Sequence, residues 1–290
     1  MRRLFFDRND GYRIKHKDPI MRLIPYIMQP RYDAQVFFED TVDLTNTESV
    51  IRAMRKEGTR VIFLHIVLAA ILRTMVDYPK MHRFVKGRKV YARKFFDFSF
   101  AIKRSMDQDG EETIVKVRLE KTDTLDDVVK KVNEAIEENR EVSSQNKTDK
   151  AAKFLNMLPG GLIRLALFFV NILDNYRLMP KFLVNASPFH TSAFVTDLGS
   201  LGINPVFHHL YDFGTTSIFA AFGTKKRGVN VDHKNTIQSR RELDLRVVID
   251  ERINDGYYMA LCVKRLKRYL ENPERLHEAP KSIPKDDEIR

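Results

Sequence analysis

The 290-residue sequence predicts an α/β fold in which strands form a mixed sheet packed against helices. Three observations carry that prediction. Runs rich in β-branched and aromatic residues alternate with apolar-periodic helical runs along the chain, and one helical run is apolar on nearly all sides. The strand-like runs on either side of the polar stretch 141–153 are too few to make two independent sheets, so one domain is expected over residues 1–272, with 273–290 as a polar, proline-marked tail.

The elements follow in order. "AQVFFEDTVDLTN" (34–46) reads as a strand, and "TESVIRAMRKEG" as a helix capped by Asn46 or Thr47 and stopped by Gly58. "RVIFLHIVLAAILRTMVDYP" (60–79) is the apolar run. It should be a buried central helix ending at Pro79, with His65 as a core histidine. Strands are expected in 88–103 and 112–120, divided by the turn "MDQDGE". The helix beginning "TLDDVV" places Leu125, Val128, Val129, Val132 and Ile136 on one stripe. "GLIRLALFFVNIL" (161–173) is too short to span roughly 30 Å of hydrocarbon and carries Arg164, so it is expected to be a buried or interfacial helix and not a membrane span.

A net charge of +11 raises the question of nucleic acid, but Lys and Arg are interspersed with acids and no recognition motif accompanies them. The denser groups, such as "KGRKVYARK" and "TKKRG", read as solvated faces or as a positive approach for an anionic substrate. The N-terminus lacks the continuous apolar stretch of a signal peptide, and the single Cys262 excludes an internal disulfide. A cytoplasmic setting follows as the expectation. The histidines show no H-x-x-x-H or H-E-x-x-H spacing, so no metal site is expected.

The C-terminal third holds "SAFVTDLGSLGI" (192–203), "TTSIFAAFG" (215–223) and "LRVVIDERINDGYYMA" (245–260). In that order and spacing these resemble the catalytic domain of the acyltransferase component of 2-oxo acid dehydrogenase complexes, in the chloramphenicol acetyltransferase-like superfamily. "PIMRLIPYIMQPRYDAQVFFEDTVDLT" and "VDYPKMHRFVKGRKVYARKFFDFSFAIK" extend the resemblance to roughly residues 15–272, leaving the apolar 155–182 segment without an obvious counterpart.

The resemblance implies a two-layer sandwich and a homotrimer with active sites between subunits. A coenzyme A or carrier-bound thioester would be the acyl donor, with no tightly bound cofactor. It further implies that a histidine in H-x-x-x-D-G acts as base and a Ser or Thr hydroxyl holds the oxyanion, while the motif Asp pairs with an early Arg. Carried over by position, Thr196 is the oxyanion hydroxyl, Asp255 and Gly256 end the motif, Arg22 is the ion-pair partner of Asp255, and Glu251 stands where the histidine would be. Stand-alone members with a D-E-R form of this turn imply a distinct branch. No lipoyl or subunit-binding segment precedes the domain in this sequence, which makes a swinging-arm core unexpected unless other chains supply those parts.

The substitution weakens a base without abolishing one. An imidazole of pKa about 6.5 facing a thiol of about 8.5 lacks roughly 2.7 kcal/mol, whereas an ordinary carboxylate near 4.3 lacks nearly 6 kcal/mol. His208, His209 and His190 are the other candidates for the base. Two functions are therefore carried forward. One is acyl transfer with Glu251 and Thr196; the other is a non-catalytic trimeric module that keeps the fold for ligand binding or assembly.

Overall fold

The structure is a computed structural model and describes residues 7–103, 112–140, 156–231 and 235–289. The expected turn at 106–111 and loop at 141–153 lie outside the described residues. The strands are β1 (Gly11–Arg13), β2 (Gln35–Asp43), β3 (Arg83–Lys86), β4 (Lys89–Arg93), β5 (Phe96–Lys103), β6 (Glu112–Leu119), β7 (Ala193–Asp197), β8 (Ile218–Phe222), β9 (Lys226–Val231) and β10 (Ile237–Asp250). The helices are α1 (Pro19–Ile27), α2 (Thr45–Lys56), α3 (Phe63–Asp77), α4 (Leu125–Arg140), α5 (Gly160–Asn175), α6 (Lys181–Ala186) and α7 (Gly256–Glu271).

The main sheet runs β2-β10-β8-β7-β5-β6, with β9 folded onto the first half of β10. It is mixed as expected: β7 is parallel to both β5 and β8, and the other pairs are antiparallel. One face carries Val195, Ala220, Val247 and Ile249 and packs on helices α3, α4 and α7. The alternate residues Phe194, Phe219 and Val248 point to the other face, where Leu210 covers them. The expected central helix is α3, buried from Phe63 to Val76 because no side of it is polar enough to face water. His65 lies in its first turn and its Nδ1 accepts from the Ile62 N–H at 2.9 Å, a side-chain cap for the helix. Burial pushes this imidazole down to about 4.

Several local expectations are corrected. The α2 cap is Leu44, with Asp43 accepting from the Thr45 N–H at 2.8 Å. Thr47, expected as a cap, is buried and donates its hydroxyl to the Leu270 carbonyl, while Asn46 reaches Glu274. Gly58 does end α2, at φ 85°. The run 88–103 splits between two sheets: β4 joins β1 and β3 in a small three-stranded sheet, and β5 enters the main one. The polar C-terminal segment folds back onto the body. Asp286 and Glu288 bind buried Arg83 at 2.5 and 3.0 Å, and Ile289 bridges to Ile14. Two of its acids are thus the partners of an interior cation.

Candidate active site

β10 ends at Asp250 and the chain turns through a single 3-10 turn, Glu251–Ile253, before Asp255 caps α7. The turn is fixed by buried ions. Asp250 is fully buried and lies between two guanidinium groups, with Arg252 Nε donating to Oδ1 at 2.8 Å and Arg31 Nε to Oδ2 at 3.3 Å. Arg252 also donates to the carbonyls of Met28 and Gln29 at 3.1 and 2.7 Å. Arg31 donates to those of Tyr211, Gly214 and Val85. A lone buried carboxylate would be costly, and this one is paid for by charge-assisted hydrogen bonds on both oxygens. From the far side, Arg83 Nη1 donates to the Ile253 carbonyl at 3.4 Å.

Glu251 is delivered by this clamp half-exposed. Among the described residues its carboxylate makes no hydrogen bond or ion pair, with Arg252 or with any other group. Arg252 is committed to Asp250 instead.

Thr196 sits near the C-terminal end of β7, half-buried, and its hydroxyl is likewise without a hydrogen bond among the described residues. The register fixes its relation to Glu251. Thr196 is opposite Ala221 on β8, which is opposite Arg246 on β10. Glu251 is thus five residues farther along β10 and two strands away, about 17 Å along and about 10 Å across, or some 19 Å in all. Within one chain the two groups cannot share a reacting carbonyl.

The histidines divide by position. His208 stacks on Phe219 at 4.5 Å, on the face that also carries Thr196, with its Nε2 buried and unpaired. Phe219 and Thr196 are diagonal neighbours across β8 and β7, about 8 Å apart between Cα atoms. Burial holds His208 below the ordinary imidazole range. His209 is exposed against Tyr211. His190 is buried, with Nδ1 at 2.8 Å from the Ser187 hydroxyl and Nε2 at 3.1 Å from Asp174. Asp174 also takes Arg8 at 2.6 Å and Lys86 at 3.2 Å, and these cations with His190 hold its carboxyl far below the usual range despite burial. This network ties α5 to the N-terminal segment and is remote in sequence from the turn.

The expected Arg22–Asp255 ion pair does not form. Asp255 is exposed and accepts from the Tyr258 N–H at 2.9 Å, the role a helix beginning at Gly256 requires of its cap. Arg22 is exposed on α1. The buried pairing belongs to Arg31 and Asp250, residues that sequence reasoning passed over. Only the Asp250–Arg252 half of the clamp had a signal, in the Asp-Glu-Arg triplet, because a carboxylate closing a strand beside an arginine is placed to be bridged.

Among the described residues no cluster of His, Cys, Asp and Glu could hold a metal ion, and no helix is long and apolar enough to cross a membrane.

The mixed sheet and its covering helices match the chloramphenicol acetyltransferase-like fold of solved structures. The chain is similar to a probable dihydrolipoamide acetyltransferase from Listeria monocytogenes (TM-score 0.58, 13% identity, 93% of this chain and 97% of that one). It is similar also to the cubic core of the pyruvate dehydrogenase multienzyme complex (0.57, 16%, 90% and 93%) and to chloramphenicol acetyltransferase (0.55, 12%, 90% and 99%). Residues 189–278 match the family model for the 2-oxoacid dehydrogenases acyltransferase catalytic domain, the same third in which the sequence motifs lie. Comparison with curated protein sequences gave no match.

Proposed function

We propose that the protein is an acyltransferase of thioester substrates whose active site is assembled between copies of the chain. The carrying observation is Glu251: a half-exposed carboxylate without a partner, at the tip of a turn that three buried arginines hold in place. In this reading Glu251 accepts the proton of an acceptor hydroxyl, amine or thiol as the acceptor attacks the thioester carbonyl carbon. The Thr196 hydroxyl of a second copy donates to the oxyanion. The C–S bond then breaks and the leaving thiolate recovers the proton from Glu251. The separation of about 19 Å within one chain supports a shared site, since a homotrimer gives each Glu251 a neighbour's Thr196. Coenzyme A or a carrier supplies the thioester, and a cytoplasmic setting fits both.

The test is turnover of a panel of acyl-coenzyme A thioesters with water, amine and hydroxyl acceptors, with light scattering over a dilution series. Glu251→Gln and Thr196→Val should each lose about 100-fold in kcat/KM or more, the Thr196 loss matching removal of an oxyanion donor. A monomer at all concentrations sinks the shared site. An active Glu251→Gln combined with a dead His208→Gln would move the base to His208.

One observation favours a second reading, a non-catalytic trimeric module that keeps the fold. A carboxylate replaces the imidazole that the resemblance calls for at 251. Absence of thioester binding as well as turnover would decide for it.

A further inference from the structure

Two cavities outside the Glu251–Thr196 pair meet along α5. The first, about 230 Å³, lies between α1, the β3–β4 hairpin and α5, and four cations line it: Arg31, Lys86, Arg88 and Arg252. Asp212 is the one carboxylate among its lining residues. The second, about 500 Å³, is an open apolar groove under α5 lined by Leu165, Leu167, Phe168 and Phe213. Asn171 and Asp212 belong to both linings, so the cationic pocket and the apolar groove share a wall.

Donors in the cationic pocket exceed their acceptors. Lys86 uses one hydrogen on Asn171 and one on Asp174, leaving a third. Arg252 Nη2 donates once, to Asp250. Arg88 makes one bond, to Gln29, and otherwise faces solvent.

Arg88 reaches the pocket from the tip of the β3–β4 hairpin. Gly87 and Arg88 form the hairpin tip, both with φ 58°. Glycine is compelled at 87, because a Cβ there would lie 2.6 Å from the Asn175 carbonyl oxygen of α5. Nothing of the kind compels arginine at 88. The left-handed conformation at both positions is what a two-residue hairpin turn requires, and at 88 it carries a long cation where glycine would be cheaper. The groove is unusual in a different way: α5 presents Leu162, Leu165, Phe168 and Phe169 about half-exposed, and Asp174 is the helix's one buried residue.

We infer that the joined cavities bind an anionic amphiphile, with a carboxylate or phosphate head among Arg88, Lys86 and Arg252 and a hydrocarbon chain along α5 in the groove lined by Leu165, Phe168 and Phe213. The site does not depend on the acyl-transfer reading, and binding can be measured with Glu251→Gln as readily as with the wild type.

The probe is dodecyl phosphate below its micellar concentration, titrated calorimetrically into the full chain, with dodecanol and inorganic phosphate as half-ligands. One dodecyl phosphate per chain is expected, and each half-ligand should bind at least about tenfold more weakly, since head and tail both contribute. Arg88→Gly suits the turn and should leave the melting temperature unchanged or higher while weakening dodecyl phosphate about tenfold. Phe168→Ser, at an exposed position, should weaken dodecyl phosphate and leave inorganic phosphate unaffected. Co-sedimentation with phosphatidylglycerol and phosphatidylcholine vesicles separates the two sources. Uptake by the anionic vesicles that Arg88→Gly abolishes assigns the head group to a membrane, and dodecyl phosphate binding without uptake assigns a free amphiphile. Dodecanol binding as tightly as dodecyl phosphate, or dodecyl phosphate binding unchanged in Arg88→Gly, overturns the site.

Discussion

At the Glu251 end of the main sheet the backbone is held by buried ions, whereas at the Thr196 end it is held by the strand ladder and one carboxylate turn. Asp250 bridges Arg31 and Arg252, and Arg83 reaches the turn from the C-terminal acids. Past Thr196, the Asp197 side chain accepts from the Ser200 N–H at 3.1 Å, and burial pushes its carboxyl up from the usual carboxylate range. The difference shows where this chain has fixed its geometry. The group at 251 is positioned by buried charge, while Thr196 is positioned by the pairing of β7 with β8 and the Asp197 turn that follows it.

The largest expected effect breaks the stronger end. Asp250→Asn strands two buried guanidinium groups and should cost about 3–5 kcal/mol in urea unfolding. Its counterpart, Asp197→Asn, removes a charge that burial already disfavours and should stay within about 1 kcal/mol. If the two losses are equal, the ends do not differ as described.

Next, Asp255→Ala should cost about 1 kcal/mol as a lost helix cap, and Arg22→Met about 0.5 kcal/mol or less. Coupling between them in a double-mutant cycle would revive the ion pair that the structure does not form.

Smallest is a pH effect confined to the Thr196 side. The folded His208 binds its proton less readily than an unfolded histidine, so below about pH 6.5 the unfolded state takes up more protons. The stability this group contributes is full above that pH and is lost as pH falls through its lower, folded value. Hydrogen-exchange protection factors, taken against the intrinsic rate at each pH, should fall at residues 206–210 from pH 7.5 to 5.5, while those at residues 250–256 hold. An equal fall in both would remove the contrast. His65, held at about 4, acts in the same direction on global stability, and His65→Asn should flatten that global slope.

How much of this the sequence disclosed depended on the range of the forces involved. The continuous apolarity of 60–79 marked α3, and the motifs of the last third, through the family they resemble, marked β7, β8, β10 and the turn, because those signals are local. The small sheet was hidden because "RKVYARKFFDFSFAIK" shows no break in β propensity where the chain changes sheets. The clamp was hidden because Arg31 and Asp250 are 219 residues apart and nothing near Arg31 distinguishes it from Arg22. For Glu251 and Thr196, the sequence supplied identities but not the distance between them, which is set by register across three strands.

The strand order has a consequence for how the molecule forms. β10 lies between β2 and β8, so β2, complete at residue 43, has no neighbour in the main sheet until residues 237–250 arrive. Closure of so long a loop precedes any reward from pairing, which slows the search and leaves an unpaired strand edge exposed meanwhile. During synthesis at about 5–20 residues per second, that edge waits roughly 10–40 s for its partner, an interval in which a holdase chaperone has something to bind.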